Sequence, residues 1–431
     1  MKLKYLFLTI LLFLQGCLMG TTIKEIEIKN IKIPVIFEEQ KNLPILNIQL
    51  VFDDSGYIKD QDKIGLASLS AKLLNEGTKE LGATKFAQKL DENAISLYSA
   101  IGFETLVIEL SSLKEKNSLA IEFLKELLNS PNYTEDSLEK IKTLQTGFLK
   151  RKESDFDYIA STSLNSILFK NTPLANTSNG TTKSIAKIQL KDIKEFLQKS
   201  LVLNKLTIVA GGDISLDDLK VLIKPLLETL EVGEKNSTKN SIEFTSSKQE
   251  ESLIKDTKQA YIYFGSNFNT DVTNSDNYKA KVASFILGSS GFGSRLMEEI
   301  RVKNGLAYSV YSSIGVNRLY SYFGGYLQTK NESYKEAISL VKQIIKEFTA
   351  NGATKEELES AKKFILGSEP LQSETLNQRL NRAFLLYHKG LEQDYKTKEL
   401  ELIQNLTLED LNSYIKSHQE INNLIFFTVR K

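Results

Sequence analysis

Gly288-Ser-Ser-Gly-Phe-Gly-Ser-Arg-Leu-Met-Glu-Glu-Ile-Arg-Val-Lys-Asn-Gly-Leu-Ala-Tyr-Ser-Val-Tyr311 is the stretch around which this 431-residue chain can be read. A glycine-serine segment leads into an amphipathic run, residues 294–303, that predicts a short helix. Asn304-Gly305 then supplies a left-handed C-cap, and residues 307–314 read as a strand. Arg301 falls near the helix end and Tyr308 on the strand, so the intervening turn can bring guanidinium and phenol to one mouth. Two roles are open to them. Both are donors suited to the carbonyls of an extended peptide and to negative charge developing on oxygen. Alternatively, Arg301 caps helix carbonyls and Tyr308 packs in the strand. Arginine is scarce, with seven among 55 basic residues, yet Arg295 and Arg301 share this one helix.

The glycine run, the helix with Arg301, Gly305-Leu-Ala-Tyr308 and the strand together resemble the second-domain signature of the M16 zinc peptidases, the insulinase and mitochondrial-processing-peptidase-like family. In that family an Arg and a Tyr seven positions later orient the bound peptide. The resemblance implies that role for Arg301 and Tyr308.

Outward from this stretch the chain is a tandem duplication. Tyr98-Ser-Ala-Ile-Gly102 recurs as Tyr311-Ser-Ser-Ile-Gly315, and Thr134-Glu-Asp-Ser-Leu-Glu139 as Thr354-Lys-Glu-Glu-Leu-Glu359. Leu190-Lys-Asp-Ile193 recurs as Leu408-Glu-Asp-Leu411, with closing strands at 206–210 and 424–429. The offsets stay between 213 and 220 residues. The length also exceeds the roughly 100–200 residues of a single domain. The reading is an N-terminal domain over 21–231, a polar linker over 232–252 and a C-terminal domain over 253–431. Strands and helices alternate in an order that gives an α+β class, each copy an antiparallel-type sheet with helices on one face. The resemblance implies the same architecture, two LuxS/MPP-like domains facing each other across a peptide-holding cleft.

With 55 basic and 54 acidic residues the net charge is +1, and no basic block is interleaved with aromatics. Nucleic acid is therefore not an expected partner. Residues 1–20 read as an export signal: Lys2 and Lys4 precede an apolar run, Tyr5 to Leu14, too short for a span of ~20 residues. Leu14-Gln15-Gly16-Cys17 resembles a lipoprotein processing box, although Gln15 departs from the small or apolar residue usual there. Cys17 is the only cysteine, so its position owes nothing to disulfides. Either it carries a lipid anchor or it is a small apolar residue of a leader cleaved nearby. Both readings place the mature chain outside the cytoplasm, in the periplasm or on a membrane. Asp53-Asp54-Ser55-Gly56 reads as a turn rather than a metal site.

An active M16 member carries His-x-x-Glu-His within a Gly-Leu-Ala-His…Gly-Thr frame. Here Gly65-Leu66-Ala67 and Gly77-Thr78 keep the frame, while Ser68, Ala71 and Lys72 stand where the first His, the Glu and the second His belong. The family's third ligand, a Glu, falls near Phe148, in the acid-free run Gln145-Thr-Gly-Phe-Leu-Lys150. A catalytic zinc needs imidazole or carboxylate ligands and a base for the bound water, so no cofactor is expected in this chain. His388 and His418, the only histidines, lie far along the chain and read as exposed or packing residues, and Glu76 reads as solvated.

The family includes pairs in which one chain carries the zinc motif and the other keeps the Arg/Tyr pair without it. The resemblance therefore implies a non-catalytic, exported subunit. It would join a zinc-bearing M16 partner with intact His-x-x-Glu-His and help to bind peptide substrate in trans. The alternative is an M16-like structural scaffold without a part in proteolysis; a lone peptide-binding module of the envelope is a further reading.

Overall fold

The computed structural model describes residues 20–235, 241–244 and 249–431. The expected leader, with Cys17, and part of the polar segment 232–252 lie outside the described residues. No described helix is long and apolar enough to cross a membrane.

The first half builds a sheet from β1 (Thr22–Ile28), β2 (Ile31–Glu39), β3 (Ile45–Asp53), β4 (Ser96–Ile101), β5 (Thr105–Leu113) and β6 (Leu206–Gly212), in the order β1-β2-β6-β3-β5-β4. The second uses β7 (Gln249–Ile254), β8 (Gln259–Asn267), β9 (Ala307–Val316), β10 (Ser321–Lys330) and β11 (Ile425–Arg430), ordered β7-β11-β8-β10-β9. Without β1, the two orders are the same. Each sheet departs from the antiparallel expectation in one place, since β2 pairs β6 and β7 pairs β11 in parallel. The expected linker is shorter than read, because 249–252 belong to β7, whose side chains are mostly exposed and so show no apolar alternation.

The helices of the first half are α1 (Leu66–Leu74), α2 (Gly82–Glu92), α3 (Asn117–Asn129), α4 (Glu135–Lys152), α5 (Phe156–Leu168), α6 (Thr182–Lys187), α7 (Leu190–Ser200) and α8 (Leu216–Leu227). The second half has α9 (Asn277–Ser284), α10 (Tyr334–Asn351), α11 (Lys355–Ser368), α12 (Leu376–His388), α13 (Tyr395–Asn405) and α14 (Leu408–Ser417). Wider π-helical turns span Phe285–Ser289 and Met297–Lys303. The repeated threonines act as N-caps: Thr134 Oγ1 accepts from Ser137 N at 3.2 Å, and Thr354 forms a capping box with Glu357.

Strand alternation assigns the two faces of each sheet. Leu46, Ile48, Leu50 and Phe52 of β3 face a core built with the first half's own helices, while Val51 points the other way with Ile36 and Val209. That second face is covered by Leu376, Leu380 and Ala383 of α12, a helix of the second half. The exchange is reciprocal. In the second sheet Ile262, Phe264 and Phe426 face their own helices, and Ile425, Phe427 and Val429 lie against Ala160, Leu164 and Leu168 of α5. Helices α5 and α12 occupy corresponding places in the duplication, so one pseudo-symmetric swap closes both sheets.

Polar contacts border the swap. Arg379 Nη2 meets Glu38 Oε1 at 2.6 Å, and Gln328 Nε2 donates to Asp157 Oδ2 at 2.8 Å. Because Leu164 and Leu380 each fill a sheet of the opposite half, Leu164→Ala and Leu380→Ala should each lower stability by about 2–5 kcal/mol. Urea unfolding followed by far-UV circular dichroism should remain a single transition in both variants. Two resolved transitions would show that the halves fold independently of the exchange.

Candidate functional site

The stretch 288–311 is shaped by close backbone approach. Gly288 lies so near Ser312 that a Cβ would clash with its hydroxyl and backbone, which lets the Phe285–Ser289 turn sit directly on β9. Gly291 and Gly293 take φ of +69° and +89°, and Ser294 Oγ donates to Gly291 O at 2.7 Å, ending the loop. Met297 and Ile300 are buried. The helix closes through Gly305 N to Arg301 O (3.1 Å) and Leu306 N to Ile300 O (2.9 Å), which starts β9 at Ala307.

The two arginines of this helix do different things. Arg295 is structural: Nε and Nη2 donate to the two oxygens of Glu357 (2.5 and 2.6 Å), and Nη2 donates to Gly352 O. Burial works against the Glu357 charge, but Arg295 and the Thr354 N–H outweigh it and hold the carboxyl below its usual range. Arg301 instead lies between two rings. Its guanidinium carbon is 4.8 Å from the Phe292 centroid and 4.9 Å from that of Tyr308. These rings are 70% and 76% exposed. The structure thus brings Arg301 and Tyr308 together and adds Phe292, an isolated aromatic in a glycine loop that no periodicity picks out. Among the described residues the Arg301 guanidinium donates to no acceptor, so it caps no helix carbonyl, and Tyr308 packs on Arg301 rather than into the core. Each cation–π contact at an exposed site contributes ~0.5–1 kcal/mol. Together they hold a planar fork of free donors at the surface, suited to carbonyl or carboxylate oxygens.

Helix α1 displays the residues of the degenerate zinc frame. Asp60 fixes its start, accepting from Gly65 N (2.7 Å) and Ala67 N (2.8 Å). Burial pushes the Asp60 carboxyl up to about 6, against both of these bonds. Gly65 adopts φ +96°, and its backbone passes close to Gly180 and Ile185. Ser68 and Ala71 are buried. The Lys72 ammonium donates to Gln145 Oε1, and Gln145 Nε2 donates to Asn179 O at 2.9 Å. The α4 side chain that meets Lys72 is therefore Gln145, one helical turn before the expected Phe148. Phe148 packs at the edge of the core, with the Lys152 ammonium 5.6 Å from its ring. A hydroxyl, a methyl, an ammonium and a neutral amide do not make a donor set for zinc.

Beside this group Asn75 clasps the edge strand β4. Its Oδ1 accepts from Ser99 N at 2.7 Å and its Nδ2 donates to Ser99 O at 3.0 Å, while Ser99 Oγ donates to Ala71 O. Glu76 is ion-paired with Lys140 at 2.7 Å rather than solvated. His418 stacks on Phe268 and meets Glu420 at 2.7 Å. His388 Nε2 lies 3.2 Å from Asp53 Oδ1, and Asp53, Glu104 and His388 cluster within ligand-like distances of one another. Arg318 already sits there, 3.0 Å from Asp53 and 2.5 Å from Glu104, so a guanidinium takes the place a cation would have. Asp53 is thus part of an interdomain ion cluster as well as the end of β3. Among the described residues no hydrogen bond, ion pair or ring contact joins Arg301 or Tyr308 to Ser68, Ala71, Lys72 or Phe148.

Comparison with known proteins agrees with this geometry. A model of the insulinase family, peptidase family M16, matches residues 35–182, and one described as peptidase M16 inactive domain matches 187–365. A Helicobacter pylori protein named "Non-peptidase homolog YmxG" is 45% identical over 99% of this chain and 98% of its own. The crystal structure of a peptidase M16 inactive domain from Pseudomonas fluorescens superposes with a TM-score of 0.87 at 24% identity, over 95% of this chain and 98% of that one. That of a Helicobacter pylori protease gives 0.81 at 16%, over 95% and 100%.

Burial holds the Lys72 amine below its ordinary value of 10.5. Between the folded and unfolded pKa the unfolded chain binds more protons, so this residue's contribution to stability rises with pH across that window. Lys72→Met cannot titrate. The wild type should therefore gain in stability relative to Lys72→Met in urea titrations as the pH rises from about 8 to about 10, approaching the unfolded lysine pKa. A constant difference over that range would show that the ammonium is not desolvated on folding.

Proposed function

Because the chain belongs to the insulinase family of M16 peptidases, we propose that it is a non-catalytic subunit of the bacterial cell envelope. It pairs with a zinc-bearing M16 partner and supplies peptide-binding groups to a shared chamber. The observation that carries this reading is Arg301, held between Phe292 and Tyr308 with its donors unused. Such a fork suits the carbonyls of an extended substrate and would stabilise negative charge developing on a substrate oxygen during hydrolysis. In this division of labour the metal and the general base belong to the partner. The donor set around Lys72 and the name of the 45% identical relative support the absence of peptidase activity in this chain alone.

Removing one donor to developing charge lowers turnover by about 10²–10³-fold. Arg301→Ala and Tyr308→Phe should each cut kcat/KM of the reconstituted pair at least about tenfold, or ~1.4 kcal/mol. Association with the partner, followed by size-exclusion chromatography, should barely change. A pair that keeps full kcat/KM with both residues replaced would make the chain a scaffold, the alternative reading. Elemental analysis of the purified chain should find no stoichiometric zinc, and one tightly bound zinc with chelator-sensitive proteolysis would overturn the reading.

The leader supports export, with Cys17 as the lipid-bearing terminus. Cys17→Ser should then shift the protein from the membrane fraction to the soluble one or block its processing. An unmodified mature terminus beyond residue 17 would refute the anchor and leave export standing.

A further inference from the structure

Away from Arg301, the second half holds a cleft of about 720 Å³ between β9, α9, α12 and α13. That volume falls within the range of small-ligand and peptide side-chain sites. Helix α12 presents two faces. Leu376, Leu380 and Ala383 cover the first sheet, whereas Gln378, Arg382, Leu385 and Lys389 follow the helical period on the side that lines the cleft. Ile314 and Tyr311 of β9 form part of the opposite wall.

The charges in this cleft do not balance. Lys281 and Lys396 share Glu399, at 3.0 and 2.6 Å. Lys396 also reaches Glu369 at 3.3 Å, and Arg382 Nη1 lies 2.8 Å from the other Glu369 oxygen. That last pair is close without hydrogen-bond alignment, for neither Glu369 oxygen accepts an aligned bond. Lys389 donates only to a neutral acceptor, Val316 O, at 2.8 Å. Four cations thus face two carboxylates in a partly buried site. Burial lowers the Lys389 amine, with Glu399 acting weakly against it. A charge surplus of this kind is costly when desolvated and is relieved by an anion.

We propose that this cleft binds a carboxylate-bearing ligand, with the carboxylate between Arg382 and Lys389 and its apolar part against Ile314 and Leu385. Arg382 supplies a planar fork whose donors are not otherwise aligned, and Lys389 supplies the unpaired charge. The site is separate from Arg301 and Tyr308, and the inference stands whether or not the chain serves a peptidase partner. The carboxylate has two sources, a free small dicarboxylic acid or an acidic peptide.

The test is isothermal titration of the full mature chain with succinate, with a short glutamate-rich peptide and with its glutamine counterpart. Binding of succinate alone assigns the site to small acids, and tighter binding of the glutamate peptide assigns it to peptide; either supports the proposal. Arg382→Gln or Lys389→Met should weaken the binding at least about tenfold. Leu385 is 54% exposed at the mouth, so Leu385→Asp keeps the fold and should weaken binding by repulsion even if the other variants fold poorly. Binding of the glutamate and glutamine peptides with equal affinity and without binding of succinate, no binding of either acid, or binding by Leu385→Asp equal to wild type would overturn it.

Discussion

Neither sheet can bury both of its faces with helices from its own half of the chain, and the reciprocal placement of α5 and α12 resolves that for both at once. An apolar sheet face left in water would forgo roughly 1.5–3 kcal/mol for each large side chain it failed to bury. Leu164 and Leu168 cover one exposed face, Leu376 and Leu380 the other. The Arg318 cluster lies at the same junction, tying Asp53 and Glu104 of the first half to the second. Its removal from one side would leave two neighbouring carboxylates without their guanidinium, a larger penalty than the pair itself is worth. These contacts across the junction are the reason the two halves are expected to unfold together.

Around the positions that the zinc-frame resemblance marks, polar groups satisfy one another. Lys72, Gln145 and Asn179 form a chain of donors and acceptors. Asn75 uses both ends of its amide on Ser99, occupying the outward N–H and C=O of an edge strand. Buried polar groups left unmatched cost about 1–3 kcal/mol each. Restoring one histidine would therefore not restore a metal site. Histidine in place of Lys72 would remove the donor to Gln145 Oε1 and leave only the Gln145 Nε2 bond to Asn179 O in place.

Much of this was legible beforehand, and the rest was hidden for physical reasons. The duplication, α1 and the turn before β9 were readable because they rest on local chemistry: cap threonines, glycines at positive φ and alternating strands. The helix exchange was not, since the apolar face of α12 says that it must be covered and not which sheet covers it. A count along the chain points to Phe148, while the side chain that meets Lys72 is Gln145, one turn of helix earlier, because such a count ignores loop length. Arg295 and Arg301 look alike in sequence, and only the fold shows that Glu357 and Gly352 claim the first and leave the second without an acceptor among the described residues. The first residues of β7 read as linker because a polar edge strand carries no alternation. His388 offered no periodic signal for its contact with Asp53, which lies 335 residues away.

The same contacts bear on how the chain can meet an extended peptide. Addition of a strand at β4 would have to displace both Asn75 bonds to Ser99, each contributing roughly 0.5–1.5 kcal/mol net, before any new ladder formed. No such barrier stands before Arg301, whose donors are unused and whose orientation is already set by two rings. The two ring contacts bias the planar guanidinium toward one orientation, so part of its rotamer freedom is already lost when an oxygen arrives. An oriented donor without a base can stabilise charge that another group generates, but it cannot deprotonate water. The geometry of this chain is thus suited to stabilising charge that a nucleophile made elsewhere generates, and under the proposed function that effect depends on how closely the substrate's reacting carbonyl approaches the Phe292-Arg301-Tyr308 stack.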